Sequence, residues 1–161
     1  MCDRDLFPSC EVSEKRAEQA PQQAAAICYR HDVSGLQFLL VRTMDDRWTF
    51  PEGNIEPGQT EIEAAEMEAY EEAGVFGIVD EKPLVTYRYA KAPRGAPRSK
   101  EISVVAFLLR VRQSFPPRET YRMPEWFSSE RTLQALAENR HSEDAQELTR
   151  VIHLAVHKLQ A

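Results

Sequence analysis

The sequence predicts an α/β/α sandwich built around a mixed β-sheet, and three observations carry that expectation. Residues Ile102 to Val111 are apolar on both faces of an extended chain, with Ile102, Val104, Ala106 and Leu108 against Val105, Phe107 and Leu109. A strand of that kind suits the centre of a sheet covered on both sides. Residues Thr60 to Gly74 follow a helical pattern with its own start and stop signals. Strand patterns come in pairs before and after that helix, and two more helical patterns close the chain.

Taken in order, residues 1–20 are polar and charged and read as a loose N-terminal arm, with residues 21–161 as one domain. Ala24 to Tyr29 and Gln37 to Arg42 read as strands around a turn at Ser34-Gly35. Trp48-Thr49-Phe50 reads as a short strand, followed by the Pro- and Gly-punctuated loop Pro51 to Gly58. Thr60 with Glu63 makes a capping box that starts the helix, and Gly74 is a natural residue for its end. Ile62, Ala65, Ala69 and Ala73 form a narrow stripe of mostly small residues that can press on a sheet while the glutamates face outward. Leu84 to Lys91 pairs with Ile102 to Val111, and Trp126-Phe127 reads as a last short strand. The closing helices are expected near Glu130 to Ala137 and Glu143 to Leu159. In the second, Ala145, Leu148, Ile152, Ala155 and Leu159 keep helical spacing.

Composition narrows the function classes. A net charge of −6 argues against nonspecific nucleic-acid binding as the main activity. No apolar run approaches the roughly 20 residues of a membrane span, and Met1 to Cys10 has no signal-peptide core. Cys2, Cys10 and Cys28 are odd in number and lack a C-x-x-C pair, so free thiols in a reducing cytoplasm are expected. His153 and His157 lie one turn apart on the last helix, with no metalloprotease pattern around them, and are read as surface or packing residues.

The helix from Thr60 to Gly74 holds six glutamates and no lysine or arginine. Glu68, Glu71 and Glu72 share one helical face, where like charges repel unless something relieves them. Unrelieved carboxylates of this kind suit a hard divalent cation. Gly53 to Val75 resembles the Nudix box, G-x5-E-x7-R-E-U-x-E-E-x-G-U with U apolar. Gly53, Glu68, Ala69, Glu71, Glu72, Gly74 and Val75 match it. Gln59 stands at the first glutamate and Met67 at the arginine, two departures that can be linked, since losing one charge alone would strand its partner. The resemblance runs loosely from Gln22 to Leu159. It implies Mg2+ or Mn2+ held by Glu68, Glu71 and Glu72, with a backbone carbonyl from the Glu52-Gly53 turn, and Glu72 or Glu68 assisting a water. It also implies a further catalytic glutamate on the loop after the long strands, for which Glu119 is the candidate and Glu125 the reserve.

A second signal lies in Arg88 to Lys100, where Arg88, Lys91, Arg94, Arg98 and Lys100 occur without an acid. Guanidinium forks and ammonium groups on such a loop suit the phosphates of a small-molecule substrate. Gly53 and Trp48 join them as candidate substrate contacts, while Trp48, Tyr87 and Tyr89 can either stack on a base or pack internally. Arg47 to Gln59 is similar to a segment of diadenosine tetraphosphate hydrolases, with Glu52 where those often have lysine. Glu125 to Ser128 is similar to diphosphoinositol polyphosphate hydrolases. The alternatives are a sanitising nucleoside triphosphate pyrophosphohydrolase, which a Pro-x-Trp-Phe segment also resembles, and a non-hydrolytic nucleotide sensor, suggested by Gln59 and Met67. A monomer or homodimer without nucleic-acid or membrane partners is expected.

Overall fold

A computed structural model describes residues 20–91 and 100–160, so the expected N-terminal arm, residues 1–20, lies outside the described residues except at its last position. The elements are β1 (Gln23–Asp32), β2 (Gly35–Arg42), β3 (Trp48–Thr49), β4 (Glu52–Asn54), α1 (Glu61–Ala73), β5 (Val75–Val79), β6 (Val85–Lys91) and β7 (Lys100–Ser114). A 3-10 turn (Thr120–Arg122), β8 (Glu125–Ser128), α2 (Ser129–Ala137) and α3 (Ser142–Gln160) follow.

The sheet is mixed, as expected. Its backbone order is β3-β2-β1-β7-β5, with β4 paired to β1, β6 to β7 and β8 to β2. β1 runs parallel to β7, from Gln23 opposite Val104 to Tyr29 opposite Arg110. The other pairings are antiparallel. β7, 15 residues long, is the central strand. One edge receives β1, and the other receives β6 and then β5.

Alternation along these strands separates two cores. On one face Ala24, Ala26, Cys28, Val105, Phe107 and Leu109 meet Ala64, Ala65, Ala69 and Ala73 of α1. The alanines on both sides let helix and sheet approach closely. On the other face Ile27, Phe38, Leu40, Val104 and Leu108 meet Leu136, Leu148, Val151 and Ile152 of α2 and α3. Burying each large aliphatic side chain there contributes about 1.5–3 kcal/mol. Helices on both faces of one sheet make the α/β/α sandwich.

Several expectations need correction. The segment read wholly as loop contains β4, whose pairing with β1 depends on a strand distant in sequence. β5 was not anticipated. It is a five-residue, largely exposed edge segment broken by Gly77, and it pairs with a strand beyond β6. The helical stripe rotates slightly, so that Ala64 is buried while Ile62 is only half-buried. That rotation also carries Glu72 inward, and so not every glutamate of α1 faces outward. Cys28 is free and buried. No described helix is long and apolar enough to cross a membrane.

Candidate active site

Local chemistry sets the ends of α1. Thr60 is extended, and its hydroxyl accepts from the Glu63 N–H at 3.1 Å, half of the expected capping box. Gly74 closes the helix at φ 68°, donating to the Ala69 and Tyr70 carbonyls. A side chain there would also collide with the Phe115 carbonyl, so glycine is required twice over. Pairing of β4 with β1 puts Gly53 opposite Ala24, on the face covered by α1. A Cβ at Gly53 would overlap the Glu68 carboxyl, so the missing side chain is what lets that carboxylate lie against the loop. Gln59 closes the turn before the helix, its side-chain oxygen accepting from the Glu56 N–H at 3.0 Å.

The carboxylates converge where the loop meets the helix. Glu72 is 3% exposed. One of its oxygens accepts from the Glu52 N–H at 3.4 Å, and the other lies 3.3 Å from Arg122 Nη2. Glu68, one turn before Glu72 on α1, acts on it through its charge. Burial holds the Glu68 carboxyl above its usual range, the charges of Glu71 and Glu119 push the same way, and the neighbouring Glu72 carboxyl and the Arg122 charge oppose. Burial raises Glu72 well above the carboxylate range; Arg122 opposes this, while Glu68, Glu52 and Glu119 add to it. Glu71 sits half-exposed at the rim, 3.9 Å from the Arg118 guanidinium.

Glu119 is brought to this cluster by its main chain, whose N–H donates to the Glu71 carbonyl at 3.0 Å. Its carboxylate accepts from the Tyr121 hydroxyl at 2.7 Å. Glu125 lies exposed in β8, opposite Leu40.

Among the described residues, no three His, Cys, Asp or Glu side chains are already set around one point as a finished metal cage. The donor set nevertheless fits a divalent cation. The Glu68 charge pushes the Glu72 carboxyl up, and a cation beside the pair would relieve that repulsion. Glu71 and Glu119 are near enough to act on Glu68 through their charge. Magnesium keeps several of its waters and needs only one or two protein carboxylates. The Glu52 main chain does reach the cluster, by its N–H.

The side chain of Glu52 turns to the opposite face of the sheet, where it accepts from the Tyr87 hydroxyl at 2.6 Å. Tyr87 is fully buried and packs internally. Tyr89 stacks beside it and donates to Gln23 at 3.1 Å. Arg140 belongs to the same polar layer; burial, then the nearby Arg47 charge, lowers its pKa. Of the two roles open to it, Trp48 takes internal packing in this fold. It is 6% exposed, edge-on to Phe127 at 4.9 Å, with the Arg42 guanidinium 3.9 Å above its ring. Packing leaves its ring no open face for a base.

Of the basic stretch, Arg88 is exposed, its guanidinium 3.7 Å from Glu101 and its N–H donating to Glu147 at 3.2 Å. Lys91 and Lys100 are paired at the last rung of the β6–β7 ladder, where β6 ends and β7 begins. Arg94 and Arg98 lie outside the described residues. The residue that sequence reasoning missed is Arg122. It follows Glu119 by three positions, but nothing in the sequence ties it to Glu72.

The mixed sheet lies between helices, and the strand–loop–helix gathers Glu68, Glu71 and the buried Glu72 at one place. A family model of the NUDIX domain matches residues 21–150, and the chain belongs to the Nudix family, hydrolases acting on pyrophosphate bonds. Solved structures similar to it include a C. elegans Ap4A hydrolase, 21% identical, covering 88% of this chain and 99% of that one with a TM-score of 0.60. A NUDIX hydrolase from Nitrosomonas europaea is 23% identical, with 86% and 90% covered and a TM-score of 0.64. The NUDIX domain of Shewanella oneidensis NrtR, solved with ADP ribose, is 14% identical, with 92% and 94% covered and a TM-score of 0.65. At such identities the likeness is one of fold. The family generally uses divalent metal ions and acts on small phosphorylated substrates.

Proposed function

We propose that this chain is a Mg2+- or Mn2+-dependent hydrolase of a phosphoanhydride bond in a dinucleoside polyphosphate or diphosphoinositol polyphosphate. The observation that supports this most directly is the Glu68–Glu72 pair, with the Glu68 carboxyl seated against Gly53 and both groups pushed up by burial. When bound, a divalent cation supplies Lewis-acid polarisation of the phosphoryl oxygens and a more acidic water. Glu68, Glu71 and Glu72 would hold it, with the Glu52-Gly53 backbone beside them. Either Glu68 or Glu72, whichever is not a tight ligand in that step, would take the proton of the attacking water. Glu119, docked on the Glu71 carbonyl, is the further carboxylate able to orient that water. Arg88, Lys91, Arg94, Arg98 and Lys100 would hold outer phosphates and so contribute positioning.

The substrate class rests on the Arg47–Gln59 segment, on the basic stretch, and on an Ap4A hydrolase among the similar folds. Nucleoside triphosphate hydrolysis is the competing activity, on Pro124-x-Trp126-Phe127. Gln59, committed to its own turn, and Met67 favour a third reading, a sensor that binds without cleaving. We take the compartment to be the cytoplasm, on the unpaired Cys28 thiol. The test is a panel of dinucleoside polyphosphates, diphosphoinositol polyphosphates and nucleoside triphosphates with Mg2+, Mn2+ or chelator. Metal-dependent cleavage of the first two is expected. Preferential triphosphate cleavage would favour the competitor, and binding without turnover the sensor.

A further inference from the structure

Arg122 brings a cation to the carboxylate cluster from outside α1. Its Nη2 lies 3.3 Å from Glu72 and 3.5 Å from Glu119, and its Nη1 donates to the Arg42 carbonyl of β2 at 3.2 Å. The guanidinium sits 4.9 Å from the Tyr121 ring, and the Tyr121 hydroxyl in turn donates to Glu119. Nε is buried with no hydrogen-bond partner, so the side chain is placed for what its far end touches. The backbone is aimed to match: Met123, next in the chain, closes the 3-10 turn at φ 43°, a conformation uncommon for a side-chain-bearing residue. At the other end of the turn the Glu119 N–H is tied to Glu71. The helix supplies no such group itself, since Met67 is apolar and 45% exposed.

We propose that Arg122 is a positioning residue of the site, spanning Glu72 on α1 and Glu119 on the 3-10 turn and fixing one against the other. This rests on the metal-dependent reading above. Two roles for Arg122 differ in sign. If it only offset negative charge, removing it would leave a more anionic cluster that binds a dication more tightly. If it positions the carboxylates, removing it scatters them and binding weakens despite the added negative charge.

The experiment is Mn2+ titration of the full, substrate-free chain, followed by electron paramagnetic resonance of free Mn2+, for wild type, Arg122→Met and Arg122→Lys. Turnover is measured alongside. Loss of a group that orients metal ligands typically weakens metal binding by about tenfold or more, which is expected for Arg122→Met. Arg122→Lys keeps the charge, but a single ammonium cannot fork between two carboxylates and a carbonyl, so a smaller loss in the same direction is expected. In both variants kcat should fall while KM moves little. Should Arg122→Met not fold, as judged by circular dichroism, Arg122→Lys decides alone. Tighter or unchanged Mn2+ binding in the folded variants overturns the proposal and leaves the hydrolase reading standing. A wild type that binds no Mn2+ overturns both.

Discussion

Replacing Glu72 by glutamine keeps the shape of a group that is 3% exposed but removes the carboxylate a bound cation would need. In the metal-free fold the cost is small. Glutamine has a single acceptor oxygen, so either Arg122 at 3.3 Å or the Glu52 N–H at 3.4 Å loses its partner, at about 1–3 kcal/mol. Arg122 is not stranded, because Glu119 and the Arg42 carbonyl remain within 3.5 Å. Burial already favours the protonated, neutral form of Glu72, so the neutral amide adds no further cost of its own. Tm should therefore fall modestly, by about 2–4 °C per kcal/mol at this size. Turnover loses far more. One unit-charge interaction at about 4 Å and an effective dielectric of about 20 is worth about 4 kcal/mol. Losing it in the transition state slows the reaction by about three orders of magnitude. The assay is kcat/KM on the cleaved phosphoanhydride with saturating Mg2+, with calorimetry in chelator as the control for folding. Turnover within tenfold of wild type would falsify the assignment of Glu72, and a loss of activity matched by unfolding would remove its support.

Three further outcomes are expected. Gly53→Ala should displace the Glu68 carboxyl, not the backbone, lowering kcat by about a hundredfold, as misplacements near 1 Å do, with Tm almost unchanged; a fully active variant would mean that Glu68 has room to spare. Glu68 and Glu72 have raised carboxyls in the fold, so their stabilising contribution is complete below the ordinary glutamate value of about 4.3 and is lost as pH rises through the raised values. In chelator Tm should therefore decline from mildly acidic to mildly alkaline pH, and Mg2+ or Mn2+ should flatten the decline; a Tm that climbs with pH in chelator contradicts the burial of these groups. Neutralising Arg88 and Lys91 together should raise KM more than it lowers kcat, with added salt acting alike; an unchanged KM would return the stretch to a solvated hairpin end.

What the sequence alone determined is what neighbours along the chain decide. The Thr60 cap, the glycine stop at Gly74 and the alanine stripe of α1 depend on residues within one or two turns, and each was legible. The central strand was legible because both of its faces are apolar, and the spacing of Glu68, Glu71 and Glu72 marked the site before any fold was known. Tertiary structure decided the rest. β4 and β5 exist because β1 and β7 offer them edges, and neither segment carries enough signal of its own. Burial of Glu72 depends on how α1 rolls against the sheet by less than one residue's rotation, which a stripe of alanines leaves open. The placement of Trp48 in the core, the turning of Glu52 toward Tyr87 and the reach of Arg122 to Glu72 are contacts between segments distant in sequence. Such contacts form only once chain closure has been offset by packing elsewhere, so local pattern carries no trace of them.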